Sequence, residues 1–310
     1  MNLSDDGGAV HWARAIEAAI ALASRRALRV RDRAAGAAER GARAVLILLP
    51  SWKQRGNPDT LMEAFDPSGV EPAVFVVGER RETLDQPWQA CHRARLMYVS
   101  DGVLTVRTET GHWVVPPGHA VWIVPNVLHC LCATRRVQLY SLYAATEAAP
   151  LPAQSGAVVP DALVQALLIA AANLPLDQPF DEPASRLVQV LLDRLPALPA
   201  APLGLNWPVD PRIRRIAAAL SANPAQPALL EDLAAAAGVR ARTAARLFVK
   251  ETGQTFGQWR QQLRLLVALE HLGAGESVTQ VALEVGYHDV SSFIAVFRDA
   301  FGDTPARYFR

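Results

Sequence analysis

The last hundred residues contain the same helical pattern twice, and this repeat constrains the fold more than any other feature of the sequence. Each copy has apolar residues at i, i+3, i+4 and i+7, followed by a glycine and a second apolar helix pattern, with an offset of 48 and then 49 residues between the copies. This spacing predicts two tandem helix-turn-helix units, in which the glycine permits the tight turn. The matching positions are Leu230, Leu233, Ala234, Ala237, Gly238, Ala244, Leu247, Phe248, Gly253 and Thr255 in the first copy, and Val278, Val281, Ala282, Val285, Gly286, Phe293, Val296, Phe297, Gly302 and Thr304 in the second.

A single long helix is predicted between the two units, over residues 256–272. At 1.5 Å per residue, this helix would be about 25 Å long. That length would allow the second helix of each unit to enter successive major grooves, about 34 Å apart on one face of DNA. We expect these two recognition helices to begin near Ala241 and Ser291.

Residues 211–310 resemble the DNA-binding domain of the AraC/XylS family of bacterial transcription regulators. The resemblance implies a sequence-specific DNA-binding protein that acts on double-stranded promoter DNA, with RNA polymerase as a candidate partner, and not an enzyme. The residues that carry it are Glu231-Asp232-Leu233-Ala234, Arg242-Thr243, Arg246-Leu247-Phe248, Thr252-Gly253, 259–265, Val281-Ala282, Gly286-Tyr287, Ser291-Ser292-Phe293, Phe297-Arg298 and 301–305.

The first recognition helix carries most of the predicted DNA contacts. Arg242 and Arg246 lie four residues apart, share one helix face and have Thr243 beside them. Arginine can hold guanine with two hydrogen bonds, and threonine can contact a thymine methyl group, so these three residues are predicted to read bases. Arg240 stands where the family usually has a small capping hydroxyl, and we expect it to contact phosphate.

The second recognition helix is predicted to begin within a polar cluster of His288, Asp289, Ser291 and Ser292. All four are candidates for DNA contact, although Ser291 or Ser292 could equally cap the helix. Arg298, two turns further on, is interpreted as a phosphate contact, with a solvated surface position as the alternative.

Residues 73–145 follow a β pattern, which becomes helical after Asp161. Short apolar runs separated by turn sequences predict a small all-β barrel or sandwich, and residues 196–208, which are rich in proline, predict a linker. The predicted strands are 73–77, 96–99, 103–107, 112–115, 120–124 and 137–143. The expected fold class is therefore α+β, with an N-terminal β-barrel joined to an all-α domain of two tandem helix-turn-helix motifs.

The β region resembles the cupin-like ligand-binding barrel that many members of this family carry, which implies a small-molecule effector. Metal-binding cupins have more histidine and glutamate ligands than the two histidines that remain here, so we expect no metal, no cofactor and no catalytic residues. Cys130 and Cys132 are predicted to face away from His129 on their strand. Histidine and arginine in the barrel would suit an anionic or hydrogen-bonding effector, although the aromatic candidates could be ordinary packing residues. The candidate effector-binding residues are His92, Arg95, Tyr98, Trp122 and His129.

Charge and composition divide the chain into four predicted segments. The net charge is only +1 overall, yet an acidic middle separates two mildly basic ends. Residues 1–61, rich in alanine and arginine, are expected to be a poorly ordered extension or sequence upstream of a natural start at Met62. Residues 62–150 would bind the effector, 151–206 would form a helical linker, and 207–310 would bind DNA. In this segment, the helices at 160–195 are expected to couple effector binding to the orientation of the DNA-binding domain, or to form a homodimer contact through Leu187, Leu191 and Leu192.

Other protein classes are disfavoured by the sequence. The odd number of cysteines indicates no disulfide framework, and no apolar run approaches the length of a membrane span, so we expect a cytoplasmic protein without membrane contact. An enzyme on the cupin barrel is disfavoured because the metal ligands are missing. A pure interaction module that uses the acidic middle region remains the second alternative, and DNA binding would distinguish the two.

Overall fold

A computed structural model of the chain describes Val70 and residues 72–309. The predictions for residues 1–61 and for a start at Met62 lie outside the described residues. The strands are β1 (Val74–Arg81), β2 (Leu84–Gln89), β3 (Ala94–Asp101), β4 (Leu104–Thr108), β5 (Gly111–Val115), β6 (Ala120–Ile123), β7 (His129–Ala133), β8 (Val137–Ala144), β9 (Gly156–Val158) and β10 (Gly204–Asn206). The helices are α1 (Ala162–Ala171), α2 (Glu182–Arg194), α3 (Pro211–Ala222), α4 (Leu230–Ala236), α5 (Ala241–Thr252), α6 (Phe256–Gly273), α7 (Val278–Glu284), α8 (Val290–Phe301) and α9 (Pro305–Tyr308).

The strands form two five-stranded antiparallel sheets, in the orders β1-β8-β3-β6-β9 and β10-β5-β4-β7-β2. Side chains from both sheets meet in one apolar cluster, so the sheets face each other as in a cupin-like double-sheet fold and do not close into one continuous barrel. The α+β class and the all-α helix-turn-helix domain are confirmed. Strand β2 was missed because its sequence, LDQPWQ, has no β-branched residues and contains a proline.

Strand β3 alternates between two different environments, and this alternation defines the inside of the β domain. Met97 and Val99 pack between the sheets, in the cluster that also contains Leu131 of β7. Leu96 and Tyr98 belong to a second cluster, on the opposite face of the same sheet. Odd-numbered residues of β3 therefore point to the interior between the sheets, and even-numbered residues point away from it.

Helices α1 and α2 cover the outer face of the first sheet. Each begins at an aspartate, Asp161 or Asp181, whose carboxylate accepts a hydrogen bond from a backbone N–H in the first turn. Leu191 and Leu192 are buried in the cluster beneath these helices, and Leu187 packs against it. The prediction of a dimer contact through these leucines is therefore wrong, because the sheet already covers them.

Residues 196–208, which were predicted to be a linker, pack into both domains that they join. Strand β10 pairs with β5, the Trp207 N–H donates to the Thr110 carbonyl (2.8 Å), and the Trp259 Nε1 donates to the Asn206 carbonyl (2.9 Å). Residues 151–206 also contribute β9 to the other sheet, so their description as a helical linker was incomplete. Strand pairing was not predicted here because each strand has only three residues.

The two helix-turn-helix units are α4–α5 and α7–α8, with α6 between them. Gly238 and Gly286 occupy the turns at φ values of +72° and +91°, which residues with a Cβ rarely adopt. The second helix of each unit buries two side chains that lie one turn apart. They are Ala244 and Phe248 in α5, and Phe293 and Phe297 in α8. Among the described residues, no helix is long and apolar enough to cross a bilayer.

Candidate DNA-binding surface and effector site

Helix α5 presents arginines on one side and its core residues on the other. Arg242 and Arg246 are exposed, while Ala244 and Phe248 are fully buried. This division follows from the 3.6-residue period, which separates the two sets by about half a turn. Arg240 is the residue before the helix and makes no side-chain capping bond, so its guanidinium is available for other contacts.

Lys250 is a further cation on this helix, and it was not among the residues predicted to contact DNA. It lies four residues beyond Arg246, is exposed, and extends the basic side of α5 by one turn. Within the described part of the chain, Arg240, Arg242, Arg246 and Lys250 make no ion pair. The i, i+4 spacing of Arg242, Arg246 and Lys250 could have identified the lysine.

Helix α8 is capped by Asp289 and not by a serine. The Asp289 carboxylate accepts hydrogen bonds from the backbone N–H groups of Ser291 (3.3 Å) and Ser292 (2.8 Å) and from the Ser292 hydroxyl (2.8 Å). The hydrogen bonds from Ser292 lower the pKa of Asp289, with a further contribution from Ser291. The capping alternative for the serines is therefore wrong, and Ser292 is held by Asp289. His288, Ser291 and Arg298 are exposed.

Helix α6 holds the two units together and fixes their separation. Its N-terminus forms a capping box between Thr255 and Gln258, which satisfies backbone groups at both residues. Arg260 donates to the carbonyls of Gln226 and Ala228, and Arg264 donates to the carbonyl of Pro224. These two arginines anchor the loop before α4, so they are structural parts of the domain and not part of its DNA-contacting surface.

The candidate effector residues are divided between three different environments. Arg95 and His129 lie on the inner faces of opposite sheets, 4% and 1% exposed. Tyr98 and Trp122 are buried on the outer face of the first sheet, where Tyr98 Oη donates to Gln165 (3.0 Å) and Trp122 Nε1 donates to the Pro152 carbonyl (3.0 Å).

His92 is exposed on the bend before β3. The structure therefore brings together two of the five predicted residues, Arg95 and His129. His92 is not brought together with them, and Tyr98 and Trp122 serve packing under α1 and α2. Cys130 and Cys132 are on the opposite side of β7 from His129, as predicted from their spacing.

A polar cluster joins the outer face of the second sheet to helix α6. The Thr105 hydroxyl donates to Glu270 Oε1 (2.6 Å), and His112 Nε2 lies 3.7 Å from the same oxygen. Burial alone would raise the pKa of Glu270, but the nearby His112 imidazole, helped by the hydrogen bond from Thr105, lowers it to about 2. Glu270 was not identified from the sequence because 165 residues separate it from Thr105.

This cluster predicts a loss of stability in acid. Because the folded pKa of Glu270, about 2, lies below the ordinary 4.5, its ionisation stabilises the protein fully above about pH 4.5. That contribution is lost as the pH falls through 4.5 towards 2. We expect thermal unfolding of Glu270→Gln to depend less on pH in this range than that of the unchanged protein. Parallel pH profiles would contradict the assignment.

One group in the described residues combines three side chains that could act as metal ligands. His271, Glu276 and Glu284 place one ligand atom each within 4.8 Å of one another. The His271 Nδ1 is 2.9 Å from Glu276 and 3.3 Å from Glu284, so the imidazole and carboxylates are already partnered. The group lies in the helical domain, away from the two histidines considered from the sequence.

The helical domain matches a known family. A family model described as "Helix-turn-helix domain" matches residues 233–310, which include α5 to α9.

Two curated relatives and one solved structure are also similar to this chain. The regulator NimR of Escherichia coli K12 is 32% identical over 255 residues, which cover 80% of this chain and 93% of NimR. The regulator RipA of Corynebacterium glutamicum is 35% identical over 122 residues, 39% of this chain and 35% of RipA. The structure of ToxT from Vibrio cholerae covers 77% of this chain and 98% of ToxT, with a TM-score of 0.34 and 10% identity.

Proposed function

This chain belongs to the AraC/XylS family of helix-turn-helix transcription regulators, and we propose that a small organic effector, held between the two sheets, controls its binding to promoter DNA. The observation that carries the proposal is the pair of helix-turn-helix units on either end of α6. The exposed, unpaired cations on the first recognition helix supply the positive charge that DNA binding needs.

Residue roles on DNA follow from exposure and chemistry. Arg242 and Arg246 read bases in one major groove, and Thr243 contacts a neighbouring methyl group. Arg240, Lys250 and Arg298 contact phosphates, which orient the domain without selecting a sequence. At the start of α8, Ser291 and the preceding His288 reach base edges, while Asp289 and Ser292 hold the helix start.

The relatives are transcription regulators, and we propose that this chain likewise has no enzymatic role and acts in the cytoplasm. A homodimer and a contact with RNA polymerase are also part of the proposal. Exposed apolar side chains on α1 and α2 support a dimer surface different from the one expected from the sequence. They are Leu163, Ile169 and Val190.

A mobility-shift assay tests DNA binding directly. We expect the full chain to shift a fragment of its own upstream region at physiological salt, and not a shuffled fragment of the same length and composition. Because specific binding usually exceeds non-specific binding by at least about a thousandfold, the two fragments should be clearly separated. Equal shifts, or no shift, would favour the interaction-module alternative.

The salt dependence of binding should be modest. Three exposed cations are assigned to phosphates, Arg240, Lys250 and Arg298, and the upper limit is five if Arg242 and Arg246 also neutralise phosphates. Because each phosphate contact contributes a slope of about −0.9, a plot of log K against log salt should be no steeper than about −4.5. Fluorescence anisotropy at several salt concentrations measures this slope. A much steeper slope would mean that basic residues outside these helices, such as those in 1–61, also contact DNA.

A further inference from the structure

A buried cation with no carboxylate at ion-pair distance faces the packed interior between the two sheets. Arg95, on the inner face of β3, is 4% exposed. Its Nη2 donates to the Ser141 hydroxyl (3.0 Å), and its guanidinium lies 5.0 Å from the ring centre of Tyr143. Within the described residues, its Nε has no hydrogen-bond partner and no carboxylate lies within ion-pair distance. Burying a permanent charge in this way is costly unless an anion balances it.

The opposite sheet supplies a hydrogen-bond acceptor to the same interior. His129 is 1% exposed, and its Nδ1 lies 2.9 Å from the Val127 carbonyl. Since a carbonyl only accepts, Nδ1 carries the proton, and in the neutral imidazole Nε2 is then a lone-pair acceptor. Burial lowers the pKa of His129, the hydrogen bond to the Val127 carbonyl opposes this, and the charge of Arg95 lowers it further, so that the net shift favours the neutral imidazole. Nε2 has no hydrogen-bond partner in the described part of the chain.

Apart from the Ser141 hydroxyl, the Tyr143 phenol and Glu79, whose carboxylate pairs with Arg81 and acts on Tyr143, the surroundings of these two groups are apolar. Ile123 pairs with Arg95 across the first sheet, Met97 follows Arg95 on the same face, and Leu131 follows His129 on the other. A ligand that satisfied both unpartnered atoms would therefore need a negative charge, a hydrogen-bond donor and a compact apolar body.

We propose that the effector of this protein is a small hydroxylated organic carboxylate, whose carboxylate binds Arg95 and whose hydroxyl donates to His129 Nε2. This inference rests on the proposed function, because it identifies the chemical class of the effector. Arg95 of the first sheet would bind the carboxylate and His129 of the second sheet would bind the hydroxyl, so that one ligand would bridge the two sheets.

Thermal shift and calorimetric titration of the full chain test the ligand class. The probes are the ortho, meta and para hydroxybenzoates and short hydroxyalkanoates, each at millimolar concentration, with their amides and with benzoate as matched controls. At least one hydroxylated carboxylate should raise the Tm, its amide should not, and removal of its hydroxyl should weaken binding. If no hydroxylated carboxylate raises the Tm, or if the amide binds equally well, the proposal is wrong.

Three variants assign the contacts. Arg95→Gln should weaken carboxylate binding by roughly tenfold to a hundredfold, since it removes charge-assisted hydrogen bonds. His129→Phe should remove the preference for the hydroxylated probe, and Arg80→Gln, an exposed arginine on the same sheet, should change neither. If Arg95→Gln does not fold, Arg95→Lys should still bind the carboxylate better than its amide. An unchanged affinity in folded Arg95→Gln, or an unchanged hydroxyl preference in His129→Phe, contradicts the assignment.

A mobility shift without any probe separates this inference from the proposed function. If no carboxylate probe binds and the chain still shifts DNA, the proposed ligand class is wrong and the proposed DNA-binding function stands. Carboxylate binding that never changes DNA binding would support the ligand class and contradict effector control.

Discussion

Replacing Arg242 with alanine is expected to weaken binding to a promoter fragment by about 1–3 kcal/mol and to relax the preference at one base position. The side chain is exposed on α5, makes no ion pair in the described structure, and lies on the helix face opposite the buried Phe248. Removing Arg246 as well should enlarge the loss, because its guanidinium lies one turn away on the same face. Anisotropy titrations against a library with single base changes measure both effects.

Two further arginines serve as controls for that experiment. Arg298→Ala should weaken all sequences alike, because a phosphate contact carries no base information. Arg212→Ala should have no effect, since Arg212 belongs to α3 and pairs with Asp210 (2.7 Å). Unchanged binding in both Arg242→Ala and Arg298→Ala would contradict the assignment of the DNA-binding surface.

Replacing Gly273 with alanine is expected to separate α6 from the β domain. A Cβ at this position would lie 2.1 Å from Val103 Cγ2 and 2.9 Å from Val103 Cβ, so one of the two elements must move. Overpacking of this kind typically costs about 1–3 kcal/mol, more than the roughly 1 kcal/mol that alanine gains over glycine in a helix. Thermal unfolding should show a lower Tm.

The same substitution tests whether the interface carries the effector response. Gly273 lies three residues beyond Glu270, which hydrogen bonds to Thr105 of the β domain. We expect Gly273→Ala to keep DNA binding while losing its response to effector, because residue 273 ends α6 and lies outside both recognition helices. Limited proteolysis within residues 195–210, which connect the domains, should become faster.

A second glycine of α6, Gly257, provides a matched control for the substitution of Gly273. Gly257, near the start of α6, has no heavy atom within 4 Å of a built Cβ. Gly257→Ala should therefore leave the Tm unchanged or raise it slightly, through helix propensity alone. Equal effects of the two glycine substitutions would show that the Val103 contact does not limit stability.

The helical half could be predicted from the sequence in some detail. The repeat placed the recognition helices near Ala241 and Ser291, and the structure begins them at Ala241 and Val290. The connecting helix, predicted over 256–272, extends over Phe256–Gly273. These predictions succeeded because a helix has one apolar face every 3.6 residues, and two aligned copies strengthen the same signal.

The candidate effector site could be predicted only in part. Tyr98 and Arg95 are both buried on β3, yet one packs under the helices and the other faces the opposite sheet. Both faces of that strand are covered and each carries apolar residues, Leu96 on one and Met97 on the other, so the strand sequence does not show which face is the interior. The contact between Glu270 and Thr105 was invisible for a different reason, since no local pattern relates residues so far apart.

The sequence by itself determined the two helix-turn-helix units, the exposed arginines of α5 and the β character of residues 73–145, because each depends on local periodicity. Tertiary structure alone decided which face of each strand became the interior, which leucines were covered, and where α6 met the β domain. Those features depend on the order of strands in each sheet and on the packing of helices against it. Both are set by contacts between distant residues, which a period of two or 3.6 does not encode.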